Sequence, residues 1–409
     1  MSQIPLPSVP RHQGLGGIYI HWPFCVRKCP YCDFYTFGNE HPVANKTNEY
    51  LEALLADISH ARETFSLESP PAIDTIYFGG GTPSLISADG LRKIIAALGD
   101  QFEVAEGTEI TLEVNPTAAE GERLAEYRAL GVNRLSIGCQ SFDDRFLETL
   151  GRDHDAATAR SVLRLARQTG FDNISLDLMF GLPGQSMNDV ASDIDHALEF
   201  APEHFSAYGL TLHEETPFGR WAREGKLIKA ESDLEAEMFE LMMDRLDSAG
   251  YEQYEISNWA KFGHESRHNG KYWQQADVYA FGPSAHGVLG GRRFATARDL
   301  GSYLHPGRAG APGDDENEFV DKPGPDIVWQ EAAQEPRARA AEVMMLALRR
   351  TDLIAWNELD TWADADIRNF YEMEFEQLRL EKLIDTSPKG FKLTRRGILL
   401  ADEVTRRFF

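Results

Sequence analysis

Three of the four cysteines in the chain, Cys25, Cys29 and Cys32, fall within eight residues in the spacing C-x3-C-x2-C. Three thiolates in one loop point to a metal or cluster site. A disulfide would leave one thiol over, and no export signal directs the chain to an oxidising compartment. Structural zinc takes four ligands, usually from two C-x2-4-C pairs, and no second pair exists here; zinc would have to recruit Cys139. A four-iron cluster can use three cysteines and leave one iron open to a small molecule. The cluster is the favoured reading.

Other residues could complete such a site. Gly79-Gly80-Gly81, followed by Thr82, removes three side chains where a strand ends, so backbone N–H groups can approach a carboxylate or phosphate. The run lacks the Lys-Ser/Thr of a P-loop and does not match G-x-G-x-x-G, and a plain turn explains it equally well. Glu113, closing an apolar strand, could hold a ribose diol by paired hydrogen bonds or be a surface carboxylate. Gln140, Arg152 and Asp177 say less singly: Arg152 with Asp153 could be an exposed pair of little energetic weight, and Asp177 could cap a turn. Cys139 reads as a small buried apolar residue, with a spare ligand as the alternative. His268 stands in His268-Asn269-Gly270-Lys271-Tyr272-Trp273. An imidazole beside large rings suits an axial iron ligand with a flat macrocycle near it; an aromatic core cluster is the plainer reading. His21, beside Trp22, reads as structural.

These residues need a frame. The chain has 409 residues, enough for two or three domains and a large core. Its 65 acidic and 41 basic residues leave a net charge of -24, which argues against electrostatic capture of nucleic acid or an anionic membrane surface. No apolar run is long enough to span a bilayer, so no integral membrane segment is expected. A cytoplasmic location follows, with peripheral contact at the inner membrane left open.

Strand and helix patterns alternate. Strands are read at 18–21, 73–78, 108–114, 132–138, 173–178 and 204–210, with helices near 46–65, 87–99, 117–130, 155–169, 187–200 and 231–249. Gly131, Gly170 and Gly250 fall where helical patterns stop, as C-terminal caps do. Six such β-α units give a parallel sheet with its helices outside. Cysteines, glycines, Glu113, Gln140, Asp177, Tyr208 and Thr211 all leave the C-terminal ends of strands, which favours a partial (β/α)6 TIM-like barrel over an open doubly wound sheet.

The expected organisation is an N-terminal arm at 1–16, the barrel at 17–250 and an aromatic-rich extension at 251–305. An acidic Pro/Gly-rich loop at 306–334 and a mostly helical, winged-helix-like domain at 335–409 complete it. In the last of these, Val343, Met344, Leu346, Ala347 and Leu348 form an apolar patch continued by Phe375, Leu378 and Leu380. A short hairpin at 383–393 and a final helix at 394–407 follow.

The cysteine spacing, with Tyr31 before the third cysteine and a strand before the first, resembles the signature of the radical S-adenosylmethionine superfamily. The ordered set Tyr-Ile-His-Trp-Pro-Phe-Cys, Gly-Gly-Gly-Thr-Pro-Ser, Glu-Val-Asn-Pro, Arg-Leu-Ser-Ile-Gly-Cys-Gln-Ser-Phe and Asp-Leu-Met-Phe-Gly-Leu-Pro-Gly-Gln narrows it. It resembles the oxygen-independent coproporphyrinogen III oxidase family from about residue 17 to 300, and more loosely beyond. Genuine oxidases carry a further cysteine where this chain has Phe34, and a longer N-terminal segment; the haem-chaperone branch has neither and bears the H-N-x-x-Y-W motif seen at His268 to Trp273.

The resemblance implies that Cys25, Cys29 and Cys32 hold a [4Fe-4S] cluster whose fourth iron takes the amino and carboxylate groups of S-adenosylmethionine. Tyr19 and Tyr31 would flank that cofactor, and Gly80, Gly81 and Thr82 would meet it through the backbone. Glu113 would bind its ribose, with Gln140, Arg152 and Asp177 nearby. His268, Asn269, Tyr272 and Trp273 would serve haem, to be handed to acceptor apoproteins such as respiratory haem enzymes. The alternative activity is radical decarboxylation of coproporphyrinogen. A different radical enzyme acting on an unknown substrate is a third.

Overall fold

Side-chain alternation decides how this sheet curves. The computed structural model describes residues 14–305, 327–329 and 336–409. The expected arm at 1–16 and acidic loop at 306–334 therefore lie outside the described residues, except for 14–16 and 327–329. Six strands, β1 (Gly16–Trp22), β2 (Ala72–Gly80), β3 (Glu103–Val114), β4 (Arg134–Gln140), β5 (Ile174–Phe180) and β6 (His204–Gly209), lie parallel and in chain order. A doubly wound sheet would reverse its order at a switch point. Here every connection steps the same way, so the helices share one face and the sheet wraps around the other as a partial barrel.

The two faces differ in chemistry. Ile18 and Ile20, Ile76 and Phe78, Leu135 and Ile137, and Leu176 and Leu178 are buried under the helices, each contributing about 1.5–3 kcal/mol. Their sequence neighbours Tyr19, Tyr77, Ser136 and Asp177 point the other way, so the barrel interior is polar. The outer helices meet the sheet through Leu54 and Ile58, Leu91 and Ile94, Val162 and Leu163, and Val190 and Ile194. Several start on capping side chains: Ser87 accepts from Gly90 N–H, Asp155 from Thr158 N–H, and Ser186 forms a reciprocal capping box with Asp189, each cap worth roughly 1 kcal/mol.

The helix expected over 117–130 is two short pieces, Ala118–Gly121 and Leu124–Ala129. Asp144–Thr149 and Pro217–Arg223 are additional helices, too short to show a period in the sequence.

The segment after residue 250 completes the sheet at both edges. β7 (Glu252–Glu255) and β8 (Asn258–Ala260) form a hairpin whose β8 runs antiparallel to β6. The chain then passes under the barrel as the helix Arg267–Trp273 and emerges as β9 (Val278–Phe281), parallel to β1. Three antiparallel strands, β10 (His286–Leu289), β11 (Arg292–Thr296) and β12 (Ile327–Trp329), extend that edge.

The C-terminal unit is smaller and mostly helical. Helices Pro336–Ala347, Trp356–Ala363 and Glu372–Leu380 precede the hairpin of β14 (Ile384–Thr386) and β15 (Gly390–Leu393), which β13 (Ile354–Ala355) extends. Phe375 and Phe391 pack with Trp356 in its core. Leu380, expected to continue the apolar patch, stands 67 % exposed on the outer side of its helix. This unit is tied to the β7–β8 hairpin by Ile256 N–H to Arg349 C=O at 3.0 Å, Thr351 N–H to Tyr254 C=O at 3.2 Å and Thr351 Oγ1 to Gln253 C=O at 2.5 Å. Among the described residues no helix is long and apolar enough to cross a membrane.

Candidate functional site

The C-terminal ends of β1 to β6 surround a cavity of about 330 Å³. Cys25, Cys29 and Cys32 line its mouth, and each is only partly exposed. Their loop is fixed at its neck by Phe37 N–H to Pro23 C=O at 2.7 Å and Cys25 N–H to Phe37 C=O at 2.9 Å. Lys28 Nζ donates to the carbonyls of Phe34 and Thr36 at 3.0 and 3.2 Å, closing the loop from inside. Burial pushes the Cys25 thiol up to about 11, so its sulfur is a thiolate near neutral pH only when a metal replaces the proton.

The glycine run is built for close approach. Gly81 N–H donates to Trp22 C=O at 2.7 Å and Thr82 N–H to Phe24 C=O at 2.9 Å, joining this loop to the stem of the cysteine loop. A Cβ on Gly81 would lie 2.7 Å from Phe24 O and 3.0 Å from Cys25 Sγ. A side chain there would fill the cradle beside the cysteines, so the residues present fit a cluster with a backbone-contacted ligand next to it. Gly79 makes room in the same way for the Glu113 carboxylate, 3.1 Å from where its Cβ would stand.

Glu113 Oε1 accepts from Tyr77 Oη at 2.8 Å, and Oε2 from Gly80 N–H at 3.1 Å. Burial raises its carboxyl to about 7 despite these donors. Asp177, raised by burial to about 6, accepts from Ser136 at 3.1 Å and Ser175 at 3.4 Å. Arg152 donates from Nη1 to Cys29 Sγ at 3.6 Å and from Nη2 to Gly138 C=O at 3.0 Å and to Asn115 Oδ1. It is therefore turned toward the cysteine loop rather than out to solvent with Asp153. Gln140 ends β4 at φ +67, a left-handed conformation that is costly for a residue with a side chain and is found at functional sites.

Tyr31, Gly80, Gly81, Thr82, Glu113, Gln140, Arg152 and Asp177 thus all line one cavity with the three cysteines. Tyr19 lies one layer deeper, its hydroxyl on His21 Nδ1 at 3.1 Å and its ring stacked on Tyr77. Cys139 points to the helix-covered face and is fully buried among apolar side chains, away from the cavity.

The H-N-x-x-Y-W segment is the helix Arg267–Trp273, which closes the opposite mouth of the barrel. His268 is 2 % exposed, shares a hydrogen bond with Thr75 Oγ1 at 2.9 Å and stacks on Tyr77 at 5.1 Å. Burial lowers its imidazole to about 3, so the ring is neutral, and its Nε2 has no partner. Asn269 reaches the cavity as its floor. Tyr272 donates to His286 C=O at 3.1 Å, and Trp273 Nε1 donates to Glu255. His268, Tyr272 and Trp273 do not line the cavity, and the rings of Tyr19 and Tyr77 stack on His268.

Reading the sequence missed Asn115, Arg134, Ser136 and Ser206, which also line the cavity. The signal was available: Arg134-Leu135-Ser136-Ile137-Gly138-Cys139-Gln140 alternates polar and apolar residues with period two, which marks one face of a strand as polar.

A cysteine loop over a parallel partial barrel, with a glycine cradle and a strand-end carboxylate, defines a radical S-adenosylmethionine protein. The family model for the radical SAM superfamily matches residues 19–197. The chain is 34 % identical over 393 residues to the heme chaperone HemW of Bacillus subtilis, covering 95 % of this chain and 98 % of that one. It is 39 % identical over 274 residues to HemW of Haemophilus influenzae, covering 66 % and 70 %. The solved coproporphyrinogen III oxidase HemN of Escherichia coli, a radical SAM enzyme, shares the fold with TM-score 0.78 at 21 % identity, over 98 % of this chain and 91 % of that one. The chain belongs to the HemW family.

Proposed function

We propose that this protein is a haem chaperone that binds haem and passes it to acceptor apoproteins. The single observation that carries the reading is similarity to HemW over nearly the full length of both chains. Phe34 supports it: the position where the oxidases resemble one another in carrying an extra cysteine is here an aromatic ring, 60 % exposed at the rim of the cavity.

Membership of the radical SAM superfamily implies a [4Fe-4S] cluster and S-adenosylmethionine. Cys25, Cys29 and Cys32 are the ligands we assign to the cluster, and Gly80, Gly81 and Thr82 the backbone that meets the cofactor. When bound to a reduced cluster, S-adenosylmethionine is a source of a deoxyadenosyl radical. The protein's part is to orient it: Glu113 offers carboxylate acceptors to the ribose, Tyr31 flanks it, and Arg152 sets a positive charge beside Cys29. For haem we propose the helix Arg267–Trp273, with Tyr272 as its accessible edge; His268 reaches an iron only when this helix leaves its slot.

The intact cofactor cavity favours one second reading, the oxidative decarboxylation of coproporphyrinogen. Haem titration of the cluster-loaded protein separates the two. A chaperone takes up haem stoichiometrically with a Soret shift and leaves coproporphyrinogen unchanged in an anaerobic assay. Turnover to protoporphyrinogen without haem uptake would reverse the assignment.

A further inference from the structure

Arg134 is a buried cation with no contact that explains it. It is 2 % exposed, lies in the barrel interior and lines the cavity floor. Among the described residues no carboxylate is in ion-pair contact with it, and its Nε lacks a hydrogen-bond partner. Its register partner on β3, Thr111, has an equally unpartnered hydroxyl. An isolated guanidinium so placed is costly unless its field acts on something.

What shares the cavity with it is acid. Glu113 on β3 and Asp177 on β5 border the same space, and both feel the charge of Arg134. Around Glu113 stand Tyr19 on β1, Tyr77 and the Gly80 N–H on β2, and Asp177. Around Arg134 are Tyr77 on β2, His204 on β6, Tyr254 and Glu255 on β7, and His268 on the helix below. Burial holds both of these histidines neutral, and Lys271 is paired with Asp74 at 2.6 Å. Lys28 and Arg152 also line the cavity but are bonded to the cysteine loop, whereas Arg134 carries no such bond and faces the acid pair.

We propose that Arg134 is a positioning residue for the nucleoside end of the cofactor: its charge, acting across the cavity without contact, favours the carboxylate forms of Glu113 and Asp177 against the burial that opposes them, so that Glu113 can accept both ribose hydroxyls. This rests on reading the cavity as an S-adenosylmethionine site. A protonated Glu113 offers one oxygen as a donor and cannot hold a diol with both.

The test is calorimetric titration of cluster-loaded protein with S-adenosylmethionine from about pH 6 to about pH 9. The native chain should lose affinity on the acid side of a midpoint near 7. Arg134→Met should move that midpoint up, so affinity at neutral pH falls several-fold and recovers at about pH 9. Arg134→Lys should keep the native midpoint. A folded Arg134→Met with an unmoved midpoint, or with a loss that is the same at every pH, overturns the proposal. Failure of the native chain itself to bind S-adenosylmethionine sinks the cofactor reading instead, which keeps the two failures distinct. Should Arg134→Met not fold, the charge is read in Glu113→Gln/Asp177→Asn, where the guanidinium has lost the two carboxylates of the cavity and keeps only Glu255 nearby. Adding Arg134→Met to that pair should raise its melting temperature; a triple variant no more stable than the double also overturns the proposal.

Discussion

Tyr77 donates its hydroxyl to Glu113 at 2.8 Å while its ring lies on that of His268, centroids 5.1 Å apart. One side chain therefore touches both the carboxylate at the cofactor cavity and the histidine of the helix closing the far end of the barrel. A shift of that helix would be felt at Glu113 through a rigid aromatic ring.

Replacing a cluster ligand should remove the cluster and leave the fold. Cys29→Ala is expected to abolish iron–sulfur absorbance after anaerobic reconstitution, with the far-ultraviolet dichroism unchanged. Cys139→Ala should keep full iron and sulfide, because that thiol is packed on the helix-covered face. Iron and acid-labile sulfide analysis of the two variants checks both.

Gly81→Ala should be severe for a reason confined to one atom. Its Cβ would stand 2.7 Å from Phe24 O, 2.9 Å from Trp22 O and 3.0 Å from Cys25 Sγ, so the two loops must part. A loss of about 2 kcal/mol or more in urea unfolding, together with reduced cluster loading, is expected.

Glu113→Gln should stabilise the chain at alkaline pH while weakening S-adenosylmethionine binding. Burial raises the Glu113 carboxyl from its ordinary 4.5 to about 7, so the folded state holds this proton more tightly than the unfolded one. The associated stability is present below the ordinary value and lost as pH rises through 7. With Asp177 still charged, the variant should exceed the native chain by about 1–2 kcal/mol near pH 8, with the gap closing near pH 5. Urea melts at the two pH values measure it.

His268→Ala should weaken haem uptake without loss of the cluster. The vacated slot under Tyr77 also costs packing, about 1–3 kcal/mol. An unchanged haem spectrum with a lowered melting temperature would assign His268 to packing alone.

Much of this was legible in the chain. The six parallel strands announce themselves because apolar residues alternate under capped helices, and C-x3-C-x2-C is specific because few other arrangements bring three thiols so close. The part that was not legible depends on pairing across long separations. That β8 joins one sheet edge and β9 the other, with Arg267–Trp273 crossing between them, follows from contacts to residues about 190 positions away, such as His268 with Thr75. At 268–273 the composition allows either a macrocycle site or an aromatic core cluster, and the histidine is packed inside, as the plainer reading has it. Arg134 is not legible as a site residue because a lone arginine at a strand start gives no hint of burial.

Haem handling is tested most directly by the fate of haem added to the purified, cluster-loaded chain. Stoichiometric uptake, followed by transfer to an apoprotein that gains the absorbance as the chaperone loses it, is the predicted result. A chain that takes up no haem, yet converts coproporphyrinogen under reducing, oxygen-free conditions, would contradict it.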